Sequence, residues 1–212
     1  MKRFLTVILS LLLAISCSLV TFATEEKMLT NEELYACYQE IIEKTNEKYG
    51  YSLSLVSFEE MNIFYSVTEF QNMVEGYCKY KSDKQTITSL QAAIQTGARG
   101  NKVVTVPHPV TVSHNLDTVT VTFYGTFTIL QNLQGSHYVD SESYTVFTSS
   151  KNGIITYEAT GSPVVELYDH GRSHYVTQNF RVLLYGSFQD TDTVRAGYYI
   201  SPATGNVTLL SI

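Results

Sequence analysis

Basic residues are scarce in this chain of 212 residues. Fourteen lysines and arginines stand against twenty aspartates and glutamates, which gives a net charge of −6 at pH 7. The basic residues form no cluster anywhere along the sequence. A negative chain without a basic patch has nothing with which to neutralise a phosphate backbone or an anionic lipid surface. We therefore expect neither nucleic acid nor an anionic membrane as a partner.

The sequence motifs of several enzyme classes are also missing. The chain holds no phosphate loop, dinucleotide fingerprint, EF-hand calcium loop or Gly-x-Ser-x-Gly elbow. No cofactor is therefore expected, and an enzyme is disfavoured. Tryptophan is absent as well, although there are 16 tyrosines. The lack of tryptophan weakens the expectation of a carbohydrate-binding site in particular.

The longest apolar run lies at the N-terminus. Lys2 and Arg3 precede the apolar residues 4–20, and small residues then lead to Ala23. This order is that of a bacterial secretory signal peptide with cleavage after Ala23. We expect residues 1–23 to be removed and the protein to be secreted, with no stable membrane span, because the run is short and interrupted. Removal takes away two basic residues and no acids, so the net charge changes from −6 to −8.

Cys17 offers an alternative for the same segment. Residues 13–17 loosely resemble the sequence that precedes the lipidated cysteine of bacterial lipoproteins. Cleavage there would leave the protein lipid-anchored at Cys17. It would also leave an apolar stub where such proteins more often carry small polar residues. Both processing sites remain open, and both predict a protein located outside the cytoplasm.

Residues 24–102 show the periodicity of helices. Two capping boxes, at 30–33 and 66–69, each precede apolar residues spaced by three and four positions. We therefore predict two helices, with a short strand at 51–55 between them. Residues 82–102 are polar and are predicted to form a connector.

Residues 103–212 alternate instead between apolar and polar side chains. The alternation is cleanest from 119 to 129, and turn signals rich in glycine, asparagine and proline interrupt it later. Period-two alternation predicts strands with one buried face. The predicted fold is therefore α+β, a helical segment followed by an antiparallel region of roughly seven to nine strands, with a sandwich favoured over a closed barrel.

Two stretches of this β region resemble each other. Residues 121–127 read VTFYGTF, and residues 182–188 read VLLYGSF. Aromatic, serine, glycine and threonine residues follow both at matching spacing. This indicates a duplicated unit of about four strands, covering 103–160 and 161–212. Chance similarity between hairpins with the same turn chemistry is the alternative.

Each of these stretches has a glycine at an apolar position of its pattern, Gly125 in the first and Gly186 in the second. Glycine weakens the interior of a strand, so it usually marks a bulge, a bend or the close approach of a ring or another backbone. We therefore predict a structural role for both glycines, in preference to ligand contact.

Cys37 and Cys78 are the cysteines that remain beyond the N-terminal segment. Both fall on or beside the apolar faces of the predicted helices. Outside the cell an even pair invites a disulfide, which would require the two helices to pack together. Two buried thiols that act as small apolar residues are the alternative.

Asp169, His170 and His174 lie close together in a predicted hairpin connection. Their side chains are of the types that catalyse hydrolysis or bind metals. His108 or His114 could complete a metal site if the two copies face each other. The same residues are ordinary turn material, and their spacing matches no helix-borne zinc signature. No metal is therefore predicted. A metal-dependent or acid/base hydrolase centred on the cluster is kept as the alternative function.

Tyr124 and Tyr185 fall at equivalent polar positions of the two similar stretches. Exposed aromatic rings on a sheet face can form a platform for a sugar ring or a peptide, although cross-strand tyrosines also simply stabilise a sheet. The expected function is therefore non-catalytic binding of an extracellular protein or glycan. Strand addition at a sheet edge is a third class that these observations leave open.

Overall fold

The structure is a computed structural model that describes residues 29–81, 85–88, 102–113 and 116–211. The signal peptide, the lipidation site at Cys17 and the candidate ligand His114 lie outside the described residues. Much of the predicted connector lies outside them too.

Two helices begin at the predicted capping boxes. They are α1 (Asn31–Tyr49) and α2 (Val67–Lys81). The Thr30 hydroxyl accepts a hydrogen bond from the Glu33 amide at 3.2 Å, and the Glu33 carboxylate accepts one from the Thr30 amide at 2.9 Å. The box at the start of α2 makes the same pair of bonds, at 3.3 and 3.0 Å. Both caps satisfy amide groups that a helix leaves without partners, which confirms the predicted helix starts.

Nine strands within the described residues form two antiparallel sheets. One sheet has the order β2-β3-β4-β5, and the other has the order β1-β8-β7-β6, with β9 also paired to β8. The α+β fold with sandwich-like antiparallel sheets is therefore confirmed. The bounds are β1 Ser54–Leu55, β2 Gln85–Thr88, β3 Lys102–Ser113, β4 Thr118–Gln131, β5 His137–Ser150, β6 Ile155–Tyr168, β7 Ser173–Leu184, β8 Phe188–Ile200 and β9 Val207–Leu210.

The core lies between the inward faces of the strands, as the alternation predicts. Every second residue of β4 from Val119 to Ile129 is buried, and β3 and β7 show the same pattern. The Tyr198 hydroxyl of β8 donates to the Phe123 carbonyl of β4 at 3.0 Å, which ties one sheet to the other. Burial of this many aromatic and branched side chains is the main source of stability for such a domain.

α2 packs against the five-stranded sheet. The ring of Phe70 lies 5.8 Å from that of Phe188, with the planes nearly perpendicular. The Tyr77 hydroxyl donates to the buried Asp190 carboxylate at 2.9 Å, and the Lys81 ammonium forms a salt bridge with the same carboxylate. The buried charge on β8 therefore has two partners from α2, which offset the cost of its desolvation.

The two predicted strand glycines occupy different structural positions. Gly125 lies inside β4, and a Cβ atom there would come within 2.8 Å of the Phe127 ring and 3.0 Å of the Tyr198 ring. Gly186 lies in the turn between β7 and β8, with φ of 66°, next to Tyr185 with φ of 53°. The prediction of a strand interior is wrong for Gly186, because β7 ends earlier and the tight turn requires positive φ.

An irregularity in strand pairing lies at the predicted boundary between the two copies. β6 crosses the predicted boundary between 160 and 161, and its register with β7 shifts between Thr160 and Val164. The two similar stretches themselves are not equivalent, since one lies within β4 and the other spans the β7–β8 turn. The duplication itself stays a prediction from the sequence.

Within the described residues, neither helix has the length and apolar character needed to cross a bilayer.

Candidate functional site

A cleft of about 400 Å³ opens where β5 begins and β6 ends. β5 and β6 are the outer strands of their sheets. They lie close together near the turn that joins them, since the Thr148 hydroxyl donates to the Tyr157 carbonyl at 2.9 Å. At the other end they line the cleft with the end of β8. The lining falls within three segments, residues 132–142, 167–174 and 200–202.

His174, at the start of β7, is a buried polar residue of this cleft with an exposed fraction of only 1%. Its Nε2 lies 3.0 Å from the Gly171 carbonyl, which can only accept, so Nε2 carries the hydrogen. The Tyr144 hydroxyl then donates to Nδ1 at 3.2 Å, and a Glu142 oxygen lies 3.7 Å from the same nitrogen. Burial lowers the pKa of His174, opposed by the Glu142 carboxylate and the Gly171 carbonyl. The imidazole is therefore neutral at pH 7, with both nitrogens engaged.

The turn between β6 and β7 holds three successive residues in the left-handed region. They are Asp169, His170 and Gly171, with φ of 52°, 57° and 78°. Only glycine adopts this region without strain, and non-glycine residues there store roughly 1 kcal/mol each. The strained turn brings His170 and Arg172 to the lining of the cleft.

Arg172, in the turn between β6 and β7, differs from the two arginines of the five-stranded sheet. Arg181 pairs with Glu60 at 3.0 Å, and Arg195 pairs with Glu166 at 2.6 Å. Among the described residues, no carboxylate lies within salt-bridge distance of the Arg172 guanidinium. The cleft is therefore lined by a cation without a carboxylate partner among the described residues, together with His137 and His170, in a protein whose overall charge is negative.

The predicted hydrolase residues do not assemble into one constellation. The Asp169 carboxylate accepts a hydrogen bond from the Ser173 hydroxyl at 2.7 Å, and Ser173 is itself buried. His174 is held by Gly171 and Tyr144 instead. General acid/base catalysis needs a base with an available nitrogen oriented by its carboxylate, and His174 has none to offer in this arrangement.

The histidines predicted as possible metal ligands are only partly brought together. His170 and His174 both line the cleft, whereas His108 lies in the core against the Tyr198 ring at 5.4 Å. Neither ring nitrogen of His108 has a hydrogen-bond partner in the part of the chain that the structure describes. No three histidine, cysteine, aspartate or glutamate residues of that part lie close enough together to hold a metal ion.

Tyr124 and Tyr185 do not form a shared platform. Tyr124 is exposed on the outer face of β4, and its ring meets that of Phe147 edge to face at 5.5 Å. Tyr185 is half-buried in the β7–β8 turn, and its ring stacks on Phe188 at 6.4 Å. The predicted equivalence of the two tyrosines is therefore wrong, because the second stretch turns where the first continues as a strand.

The outer face around Tyr124 has a uniform chemistry. Its positions alternate with the buried ones along β3, β4 and β5, and a hydroxyl pair joins Thr105 to Thr126 at 2.9 Å. From Val103 to Thr111, Thr120 to Thr128 and Ser143 to Ser149, the outward residues are threonine, serine, proline, valine, tyrosine and phenylalanine. Over these ranges the three strands therefore present hydroxyl groups and two aromatic rings without charge.

Both cysteines of the described chain are free thiols. Cys37 on α1 is half-buried, and Cys78 on α2 is buried. Burial raises the pKa of the Cys78 thiol to about 11, with Asp190 adding to the effect and Lys81 opposing it. A protonated, buried thiol of this kind behaves as a small apolar residue.

Three residues of the cleft were not part of any site predicted from the sequence. His137 and Glu142 come from β5, and Arg172 sits between the two residues that drew attention, His170 and His174. β5 and the β6–β7 turn are separated by about thirty positions in the sequence, and no local pattern reports contact over that distance. The charge of Arg172 was visible in the sequence, but its lack of a partner was not.

Comparisons with protein-family models, with curated proteins and with solved structures found no match to this chain.

Proposed function

We propose that this protein is secreted or held at the surface of a bacterial cell and binds an anionic group in the cleft without catalysing a reaction. The order of charged, apolar and small residues in 1–23 supports the location. The observation that carries the binding proposal is that Arg172 lines the cleft and that its guanidinium has no carboxylate partner among the described residues. Guanidinium forks recognise carboxylates through two parallel hydrogen bonds.

The size and lining of the cleft favour a small carboxylate with an apolar body. Its volume lies in the range of small-molecule sites. Val139, Leu167 and Ile200 supply apolar surface, and His137 and His170 supply further hydrogen-bonding groups beside Arg172. Glu142 carries the opposing charge of the site, but it is held near His174 and leaves the guanidinium unpaired.

Calorimetric titration with N-acetylvaline tests the proposal, with the uncharged N-acetylvaline methylamide as its neutral partner. We expect the carboxylate to bind and the methylamide to bind at least about tenfold more weakly, because only the carboxylate pairs with Arg172. Arg172→Gln is expected to abolish the difference. The matched control is Lys151→Gln, which removes one unpaired exposed charge after the other end of β5. Absence of binding up to about 10 mM would contradict the proposal.

A second candidate function uses the uncharged outer face around Tyr124. The edge-to-face pair of Tyr124 and Phe147, surrounded by threonine and serine hydroxyls, suits a neutral glycan, whose rings stack on aromatic faces and whose hydroxyls need uncharged partners. Retarded migration in a native gel that contains a neutral polysaccharide would support this function. The retardation should disappear in Tyr124→Ser/Phe147→Ser. It should persist in Leu133→Ser, which removes a fully exposed apolar side chain from the β4–β5 loop.

A further inference from the structure

The cleft lies at the end of an open sheet edge. β5 pairs with β4 on one side, and no strand of the described residues pairs with its other side. At the cleft end of that side the His137 N–H already donates to the Pro202 carbonyl at 2.8 Å, so the open edge lies beyond His137. In an antiparallel pair only alternate residues direct their N–H and C=O groups toward the partner strand, so the remaining residues of β5 direct theirs outward. Unpaired groups of this kind are a template for an added strand.

The direction of β5 determines which end of an added peptide would reach the cleft. His137, Val139 and Glu142, near the start of β5, line the cleft, and the strand then runs away from it. A peptide that pairs antiparallel to β5 therefore runs toward the cleft and ends there with its C-terminus. The same peptide placed antiparallel to β6, which runs into the cleft, would present its N-terminus instead.

Charge distinguishes these two arrangements. The C-terminus of a peptide is a carboxylate and the N-terminus is an ammonium group. Among the described residues that line the cleft, Arg172 carries a charge with no salt-bridge partner, so the carboxylate is attracted and the ammonium is repelled. Pairing with β5 therefore matches both the hydrogen-bonding edge and the charge of the cleft.

We propose that the ligand of the cleft is the free C-terminus of an extended peptide, which adds antiparallel to the open edge of β5 and places its terminal carboxylate on Arg172. This inference rests on the proposed anion-binding function and specifies its partner. The terminal side chain is apolar, because Val139, Leu167 and Ile200 line the cleft beside the carboxylate position. Glu142 lies in the same cleft and weakens binding through its charge.

Fluorescence anisotropy with a labelled hexapeptide of alternating threonine and valine, ending in valine, tests this inference. Its C-terminus is prepared as the acid and as the amide. We expect the acid to bind at least about tenfold more tightly than the amide, and Arg172→Gln to remove that advantage. Lys151→Gln should stay within about twofold of the unchanged protein, since it follows the far end of β5, roughly 40 Å away. Glu142→Gln is expected to tighten binding of the acid about threefold, because it removes a nearby like charge.

Competition with N-acetylvaline distinguishes the anion-binding function from the addition of a strand to β5. If N-acetylvaline binds below about 10 mM and the hexapeptide acid binds at least about tenfold more tightly, the strand contributes and the inference is supported. If N-acetylvaline competes as well as the hexapeptide, strand addition is wrong while the anion-binding function stands. If neither acid binds, both proposals fall. Equal binding of hexapeptide acid and amide would overturn the role of the terminal carboxylate.

Discussion

His108 occupies a core position where its ring nitrogens make no hydrogen bond to any described residue. Its side chain is fully buried and packs against Tyr198. Burial lowers its pKa to about 4, opposed only by an approach to the Gly197 backbone that does not meet hydrogen-bond geometry. A polar group buried without a partner costs stability. The fold carries this cost in the middle of β3.

The lowered pKa predicts a specific loss of stability in mild acid. The unfolded imidazole takes up its proton near pH 6.5, whereas the folded one does so only near pH 4. The contribution of neutral His108 to the free energy of unfolding is therefore fully present above pH 6.5, and it is lost as the pH drops toward 4. At pH 4.5 the loss from His108 is about 2 kcal/mol. Urea unfolding at pH 7 and 4.5 measures it, and His108→Leu should lose less on acidification and gain about 1 kcal/mol at pH 7. Identical pH dependence in both proteins would refute this account.

Asp117 is a buried carboxylate whose hydrogen bonds outweigh the effect of burial on its pKa. It accepts hydrogen bonds from the amides of Thr118, Asn152, Ile154 and Ile155 and from the Ser150 hydroxyl, at 2.6 to 3.1 Å. Burial alone would raise its pKa, but these donors lower it below the usual value. One side chain therefore accepts hydrogen bonds from the amides of Asn152, Ile154 and Ile155, in and just after the β5–β6 turn.

We predict that Asp117→Ala destabilises the fold by roughly 3 kcal/mol, because four backbone amides and a hydroxyl lose their acceptor together. The matched control is Asp140→Ala, which removes an exposed carboxylate from β5. Urea unfolding at pH 7 provides the measurement. A cost below about 1 kcal/mol would mean that water replaces the carboxylate and that the turn does not depend on it.

At the scale of the elements, two glycines predict opposite outcomes for the same substitution. A Cβ atom on Gly125 would meet the buried rings of Phe127 and Tyr198 at 2.8 to 3.0 Å, whereas one on Gly76 in α2 would meet nothing within 4 Å. Gly125→Ala is therefore expected to cost about 2 kcal/mol through overpacking. Gly76→Ala is expected to gain about 0.7 kcal/mol through helix propensity. Thermal unfolding of both variants checks the signs, and two effects of the same sign would be inconsistent with the packing described.

The alternation and the capping boxes predicted most of the elements, because both depend on neighbours within a few residues. Val119 to Ile129 are buried in the predicted order, and Thr30 makes the predicted cap. The turn at Gly186 was misread, since the apolar alternation continues through it and hides the end of β7. Glu142 and Arg172 are distant in sequence and line the same cleft because of how the strands pair. The pairing of β4 with β5 includes a register shift between Thr128 and Ile129. Pairing of this kind is not encoded in any local window.

At the scale of the whole molecule, the free thiols show that no disulfide joins the two helices. α1 and α2 each carry one free cysteine, and α2 is fixed to β8 through Asp190 without a covalent link. Noncovalent contacts therefore suffice to hold α2 on the sheet.

We predict that protein lacking residues 1–23 titrates two thiols in denaturant, equally with and without reductant. In the folded protein Cys78 should react much more slowly than Cys37, because it is buried and its raised pKa keeps it protonated at pH 8. Mass spectrometry after timed alkylation measures both rates. Thiols that become reactive only after reduction would instead indicate the disulfide.

The strained turn at Asp169 and His170 also sets a limit on how this protein can evolve. Glycine at 170 would relieve a left-handed conformation and raise the stability of the whole fold by about 1 kcal/mol, yet it would remove an imidazole from the cleft. We therefore expect His170→Gly to unfold at higher urea and to bind the peptide acid less tightly. A laboratory lineage selected only for thermal survival would drift to glycine there. A lineage selected for its ligand would keep the histidine and tolerate the strain.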